Sequence, residues 1–182
     1  MRKLVMFSGF GGQGILSAGQ LLAMAGLLEG LEVTWYPSYG AEMRGGTANC
    51  TVVISDQPIG SPVGDRADAV LAFNQPALEA FSGKVVPGGE LIYNSSIAGT
   101  DSIRTDISVK AVAATKIADK LGEPRVVNMV MLGALLSSPG LVATDSLLKA
   151  VSQKIGAAKK KLLLINREAL ELGAKSYRAS SG

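Results

Sequence analysis

The sequence predicts one α/β domain, a mostly parallel sheet covered by helices, and three observations carry that expectation. Short apolar runs bounded by glycine alternate with longer runs whose apolar residues recur every three or four positions. The first short run leads through a glycine-rich turn into a helical repeat, the order of a mononucleotide-binding unit. The chain has 182 residues, 47% of them apolar and 18% charged, which suits one buried core better than two.

In chain order, Leu4 to Ser8 is an apolar run ending at glycine, as expected of a strand buried on both faces. From Ile15 the spacing changes, with Ile15, Ala18, Leu22, Ala25 and Leu28 on one helical face and Gly30 as the stop. Glu32 to Tyr36 alternates and is rich in β-formers, so the opening reads as a β-α-β unit. A polar, glycine-containing loop from Ser38 to Thr47 follows, then a β-branched run from Thr51 to Ile54. Further strands are predicted over Ala69 to Phe73, Glu90 to Tyr93 and Ile107 to Val112, with helices starting near Gln75, Val112, Val126, Thr144 and Arg167. The folded domain is expected over 1–178, with a frayed tail at 179–182.

Composition narrows the chemistry. The formal charge of +3 is mild, and Lys159-Lys160-Lys161 lacks the interleaved aromatic residues of a nucleic-acid surface, so it reads first as a solvated helix face. Cys50 is the single cysteine, so this chain alone cannot supply a disulfide, a cysteine-ligated cluster or a zinc ribbon. With no histidine, the usual general base is missing too. The apolar N-terminal run is too short for a secretory h-region. The uncharged stretch 126–143 is broken by Asn128, Ser137, Ser138, Pro139 and Gly140, so it reads as a buried helix and not a membrane span. A cytoplasmic protein without nucleic-acid or membrane partners is expected.

Two motifs carry functional information. Gly9-Phe10-Gly11-Gly12-Gln13-Gly14 stands between the first strand and first helix, where glycines permit a tight turn and expose the first helical N–H groups to an anion. They could equally serve only to seat the helix on the sheet. Valine at Gly11 or Gly14 is expected to disturb packing or ligand approach. Ordinary NAD binding asks for a carboxylate at the end of the second strand, and Trp35-Tyr36-Pro37-Ser38 has none. The fold is therefore expected to be Rossmann-like without ordinary NAD chemistry.

The second motif runs from Pro37 through Ser38, Tyr39, Gly40, Ala41, Glu42, Met43, Arg44, Gly45, Gly46 and Thr47 to Ala48. A loop at the carboxyl edge of the sheet is where open α/β folds bind ligands. Arg44 could hold a phosphate or a partner's carboxylate with two hydrogen bonds, with Glu42 orienting it and the Gly45-Gly46 amides nearby. An internal Glu42–Arg44 pair closing a structural loop is the alternative. Cys50 and Asn128 read first as a small buried residue and a satisfied core amide.

Together the two motifs closely resemble the γ subunits of 2-oxoacid:ferredoxin oxidoreductases. The resemblance continues through Ala67-Asp68-Ala69-Val70-Leu71-Ala72, Asn74-Gln75, the run from Asn128 to Ala134, and Asn166-Arg167-Glu168-Ala169. Glu42-Met43-Arg44-Gly45-Gly46-Thr47 is similar to the 2-oxoglutarate and branched-chain branch.

The resemblance implies a non-catalytic subunit of a heteromer that oxidatively decarboxylates a 2-oxoacid, 2-oxoglutarate by branch, to its acyl-CoA and passes electrons to ferredoxin. Thiamine diphosphate with magnesium, and iron–sulfur clusters, would sit on thiamine-binding, 2-oxoacid-binding and ferredoxin-like partners. Gly64-Asp65-Arg66 departs from the metal motif of a thiamine-binding subunit. Coenzyme A is the one ligand this chain would help to place, through Gly9, Gly11, Gly12, Gln13, Gly14, Ser38, Tyr39, Glu42, Arg44, Gly45, Gly46 and Thr47. No catalytic residue and no metal ligand is expected on it. In isolation the chain is expected to be inactive and to form a homodimer, because its partner-facing apolar surface would be exposed.

Overall fold

The structure is a computed structural model, and it describes residues 1–39, 47–99, 104–156 and 158–179. The element order is β1 (Arg2–Phe10), α1 (Ile15–Leu28), β2 (Glu32–Tyr39), β3 (Thr47–Ser55), β4 (Ala67–Ala72), α2 (Gln75–Phe81), β5 (Val85–Asn94), β6 (Ser108–Val112), α3 (Ala114–Lys120), α4 (Val127–Leu135), α5 (Thr144–Ile155) and α6 (Lys160–Ala179). The six strands form one sheet in the order β2-β3-β1-β4-β5-β6. β1, β4, β5 and β6 pair in parallel, while β3 runs antiparallel to both β1 and β2. β2 thus points the same way as β1, and β3 alone is reversed. The opening is a β-α-β unit with a third strand inserted into its gap.

Both faces of the sheet are covered, as the unbroken apolar strands require. On one face Val5, Phe7, Cys50, Val52, Ile54, Leu71 and Ile92 pack under α1, α3, α4, α5 and α6. On the other, Leu4, Met6, Val53, Val70 and Leu91 meet Ala77 and Leu78 of α2. Every residue of α4 from Asn128 to Leu135 is buried, so the uncharged stretch is a core helix. Among the described residues no helix is long and apolar enough to cross a membrane.

α1 ends where Gly30, at φ +74°, turns the chain and the Leu31 N–H returns to the Gly26 carbonyl. α4 and α6 cross at two glycines. A Cβ on Gly133 would stand 1.9 Å from the Leu170 carbonyl oxygen, and one on Gly173 would stand 1.9 Å from that of Val130. Backbone therefore meets backbone at this crossing.

Several boundaries differ from expectation. β1 and β2 extend beyond their apolar cores, so Gly9 and Phe10 belong to β1, and Pro37, Ser38 and Tyr39 belong to β2. Cross-strand pairing supplied by β3 carries these residues further than their propensities suggest. α3 starts at Ala114, not Val112, because Val112 completes the ladder of β6. α6 starts at Lys160 rather than Arg167, placing Lys160 and Lys161 in its exposed first turn. Its apolar face, Leu170 and Ala169 included, is fixed by α4 and is diluted by charge in the sequence.

Candidate functional site

β1 and β4 are adjacent and parallel, yet the chain leaves β1 for α1 on one face and β4 for α2 on the other. A crevice opens beyond the carboxyl ends of two strands where the connections part in this way, and open α/β sheets bind ligands there. The same end carries the β2–β3 connection, because Tyr39 pairs with Ala48 and Thr47 pairs with Phe10. Thus the first motif and the described ends of the second, separated in the chain by residues 15–36, meet at one edge.

Gly14 begins α1. Its φ of +76° and ψ of 20° put it in the left-handed region, and no side-chain cap hydrogen bond is made there among the described residues. A Cβ there would also stand 2.9 Å from Asn128 Nδ2, so glycine is required both by conformation and by the approach of α4. The Asn128 amide, 8% exposed, donates to the Gly14 carbonyl at 3.5 Å. Gly12 has φ +91°, while Gly11 has nothing within 4 Å of its Cβ position. Among the described residues nothing packs against Gly11, so of the two reasons expected for a small residue there, packing and ligand approach, only the second is left to act. Gly9 is the tighter site, with Gln13, Ile15 and Phe73 atoms 2.6–2.8 Å from a Cβ.

Gln13 turns its carboxamide inward. Oε1 accepts from the Phe10 N–H at 2.7 Å and from Asn74 Nδ2 at 3.0 Å, and Nε2 donates to the Phe73 carbonyl at 3.4 Å. Asn74, 3% exposed, in turn caps α2 by accepting from the Ala77 N–H at 2.9 Å. One pair of amides therefore ties the β1–α1 turn to the β4–α2 turn across the crevice. Gln13 acts here as a brace. The unassisted N–H groups of the first α1 turn stay available to an anion, whose charge the helix dipole favours.

Of the remaining predicted site residues, Ser38 and Tyr39 close β2 and Thr47 opens β3. Glu42, Arg44, Gly45 and Gly46 lie outside the described residues. Sequence reasoning did not assign Asn74 or Asn128 to the site. The first had a legible signal, an Asn directly before Gln75-Pro76, where a helix cap is expected. The second had its isolation among apolar neighbours and its place in the stretch of family resemblance.

Cys50 is 1% exposed, and burial pushes its thiol up to about 12, so it offers no thiolate. Among the described residues no three of His, Cys, Asp or Glu come together to hold a metal ion. Among the described residues, the helix start without a side-chain cap and the space over Gly11 suit an anionic ligand.

Comparison with known proteins identifies the family. Residues 4–176 match the family described as pyruvate ferredoxin/flavodoxin oxidoreductase. Ketoisovalerate oxidoreductase subunit VorA of Methanothermobacter thermautotrophicus is 42% identical over 93% of this chain, which spans 35% of that relative's length. The 2-oxoglutarate synthase subunit KorC of Methanocaldococcus jannaschii is 35% identical, with 92% of each covered. Among solved structures, the 2-oxoglutarate:ferredoxin oxidoreductase of Magnetococcus marinus with 2-oxoglutarate, coenzyme A and succinyl-CoA bound superposes with a TM-score of 0.89 at 30% identity. That match covers 98% of this chain and 31% of the larger one. The keto/oxoacid ferredoxin oxidoreductase γ subunit of Geobacter sulfurreducens superposes with a TM-score of 0.82 at 30% identity, covering 97% of this chain and 99% of the other.

Proposed function

The chain belongs to the pyruvate ferredoxin/flavodoxin oxidoreductase family, and on that premise we propose that it is the γ subunit of a cytoplasmic 2-oxoacid:ferredoxin oxidoreductase whose task is to place coenzyme A. The observation that carries the reading is the glycine-rich, uncapped start of α1 at the crevice between β1 and β4. The substrate proposed is 2-oxoglutarate. Its basis is the Glu42-Met43-Arg44-Gly45-Gly46-Thr47 segment together with the likeness to the 2-oxoglutarate synthase subunit; the nearby ketoisovalerate relative makes a branched-chain 2-oxoacid the alternative.

Thiamine diphosphate and iron–sulfur clusters, on partner subunits, would supply decarboxylation and electron transfer to ferredoxin. This chain's residues bind and orient. The first-turn N–H groups of α1 donate to the pyrophosphate, Gly11 and Gly12 keep the approach clear, and Gln13 with Asn74 holds the two turns at fixed separation. Arg44 adds a charged contact from the β2–β3 connection.

The test is Arg44→Ala in the reconstituted complex. Loss of a charge-assisted hydrogen bond costs roughly 1.5–3 kcal/mol, so the coenzyme A requirement should rise about ten- to a hundred-fold with subunit assembly intact. Weaker assembly with an unchanged coenzyme A requirement would assign Arg44 to a subunit contact. Wild-type behaviour in both assays would remove it from the site.

A further inference from the structure

A second polar cluster lies on the helical side of the molecule, behind the glycine turn. The first turns of α1, the turn ahead of α4, the end of α5 and the start of α6 enclose a cleft of about 390 Å³. Its lip carries Arg125, Lys154 and Lys159, and the amides of Asn128 and Asn166 with the Ser17 hydroxyl line its wall. The floor is apolar, built from Leu21, Val151 and Leu162. Glu123 is the one carboxylate of the lining, and it is already engaged, with Arg125 Nε at 2.7 Å.

Lys154 is the residue that needs explaining. Its Nζ donates to Ser17 Oγ at 3.0 Å and Gln20 Oε1 at 2.7 Å, both neutral groups. Among the described residues neither Lys154 nor Lys159 has a carboxylate partner. An ammonium has three donors, and two neutral acceptors offset its desolvation only partly, so its pKa is lowered by burial. A cation fixed by hydroxyl and amide oxygens, next to two further cations and above an apolar floor, is suited to an anion with an apolar body.

We infer that this cleft binds a phosphate ester, with Lys154 taking the phosphate and the Leu21–Val151–Leu162 floor taking the ester's organic part. The inference uses the proposed function only for one of two sources of the phosphate. Asn128 both lines the cleft and touches Gly14, so the two sites share a wall and a ligand held at the glycine turn can present a second phosphate here. The other source is a separate nucleotide.

The test is isothermal titration of the full chain and of Lys154→Met with coenzyme A, dephospho-coenzyme A and AMP. Methionine keeps the apolar stem and removes the charge, and Ser17→Ala serves as a second, milder variant. Wild type is expected to bind AMP or coenzyme A, with affinity falling about tenfold or more in Lys154→Met and less in Ser17→Ala. If the loss appears with coenzyme A and not with dephospho-coenzyme A, the phosphate is the coenzyme's own. If AMP binds alongside saturating coenzyme A, the ligand is a separate nucleotide. Unchanged affinity for all three in a folded Lys154→Met overturns the inference, as does no binding of any of them by wild type at millimolar concentration. AMP binding that depends on Lys154 in a chain that ignores coenzyme A would sink the proposed function and leave this inference standing.

Discussion

Single residues at the crevice are held by two different constraints, and valine separates them. At Gly14 both left-handed backbone and the Asn128 contact oppose a side chain, so Gly14→Val should lower stability by on the order of 2–4 kcal/mol in denaturant titration. At Gly11 no described residue opposes a side chain, so Gly11→Val should fold as wild type and lose only ligand affinity, which binding measurements on the same sample would show. Equal destabilisation by both would contradict this account of the turn. Glu90 is 6% exposed, and burial raises its carboxyl pKa despite hydrogen bonds from Tyr177 and Ser138 and the charge of Lys110. The folded state then holds the proton more tightly than the unfolded chain. The contribution to stability is complete below the ordinary value of 4.5 and is lost as pH rises through the raised value. Glu90→Gln should flatten that fall in a series of unfolding curves taken from pH 4 upward, whereas Tyr177→Phe, which strips the carboxylate of a donor, should steepen it.

At the scale of elements, the α4–α6 crossing is the least forgiving contact. Alanine at Gly133 or Gly173 would drive a Cβ into a carbonyl oxygen of the facing helix, and neither backbone can yield without parting the pair. Each substitution should cost on the order of 3 kcal/mol or more, an overpacking effect, against a few tenths for alanine at the open Gly83. Thermal melts of the three variants would compare them directly. The lesson extends to α6, whose pattern is half polar because only one stripe meets α4. Helical periodicity finds that stripe, while the helix start is set by where the packing begins.

For the whole molecule, the uneven covering of the sheet is the feature with functional reach. Five helices lie on one face and only the seven-residue α2 on the other, and Phe10, Tyr36, Val63 and Ile97 are exposed. An assembling subunit would bury such residues against partners. The purified chain should therefore show no 2-oxoacid oxidation, and the thiamine-binding, 2-oxoacid-binding and ferredoxin-like subunits should restore coenzyme A-dependent reduction of a viologen dye. Turnover by the chain alone would end the subunit reading. Sedimentation of the isolated chain should give a homodimer, and a monomer at high concentration would remove self-association from it.

The sequence by itself determined the fold class, the strand-to-helix placement of the glycine motif and the order of most elements, because these rest on local periodicity and on glycine's backbone range. It also marked the Gly9–Gly14 and Ser38–Thr47 segments as the candidate site. Only the tertiary structure decided that β3 enters between β1 and β2, which lengthens both and carries Ser38, Tyr39 and Thr47 out of the loop into the sheet edge. It alone joined Gln13 to Asn74, Gly14 to Asn128 and Lys154 to Ser17, pairs 61, 114 and 137 residues apart. Hydrogen bonds of such span depend on which helix lies on which face, and no local pattern along the chain encodes that.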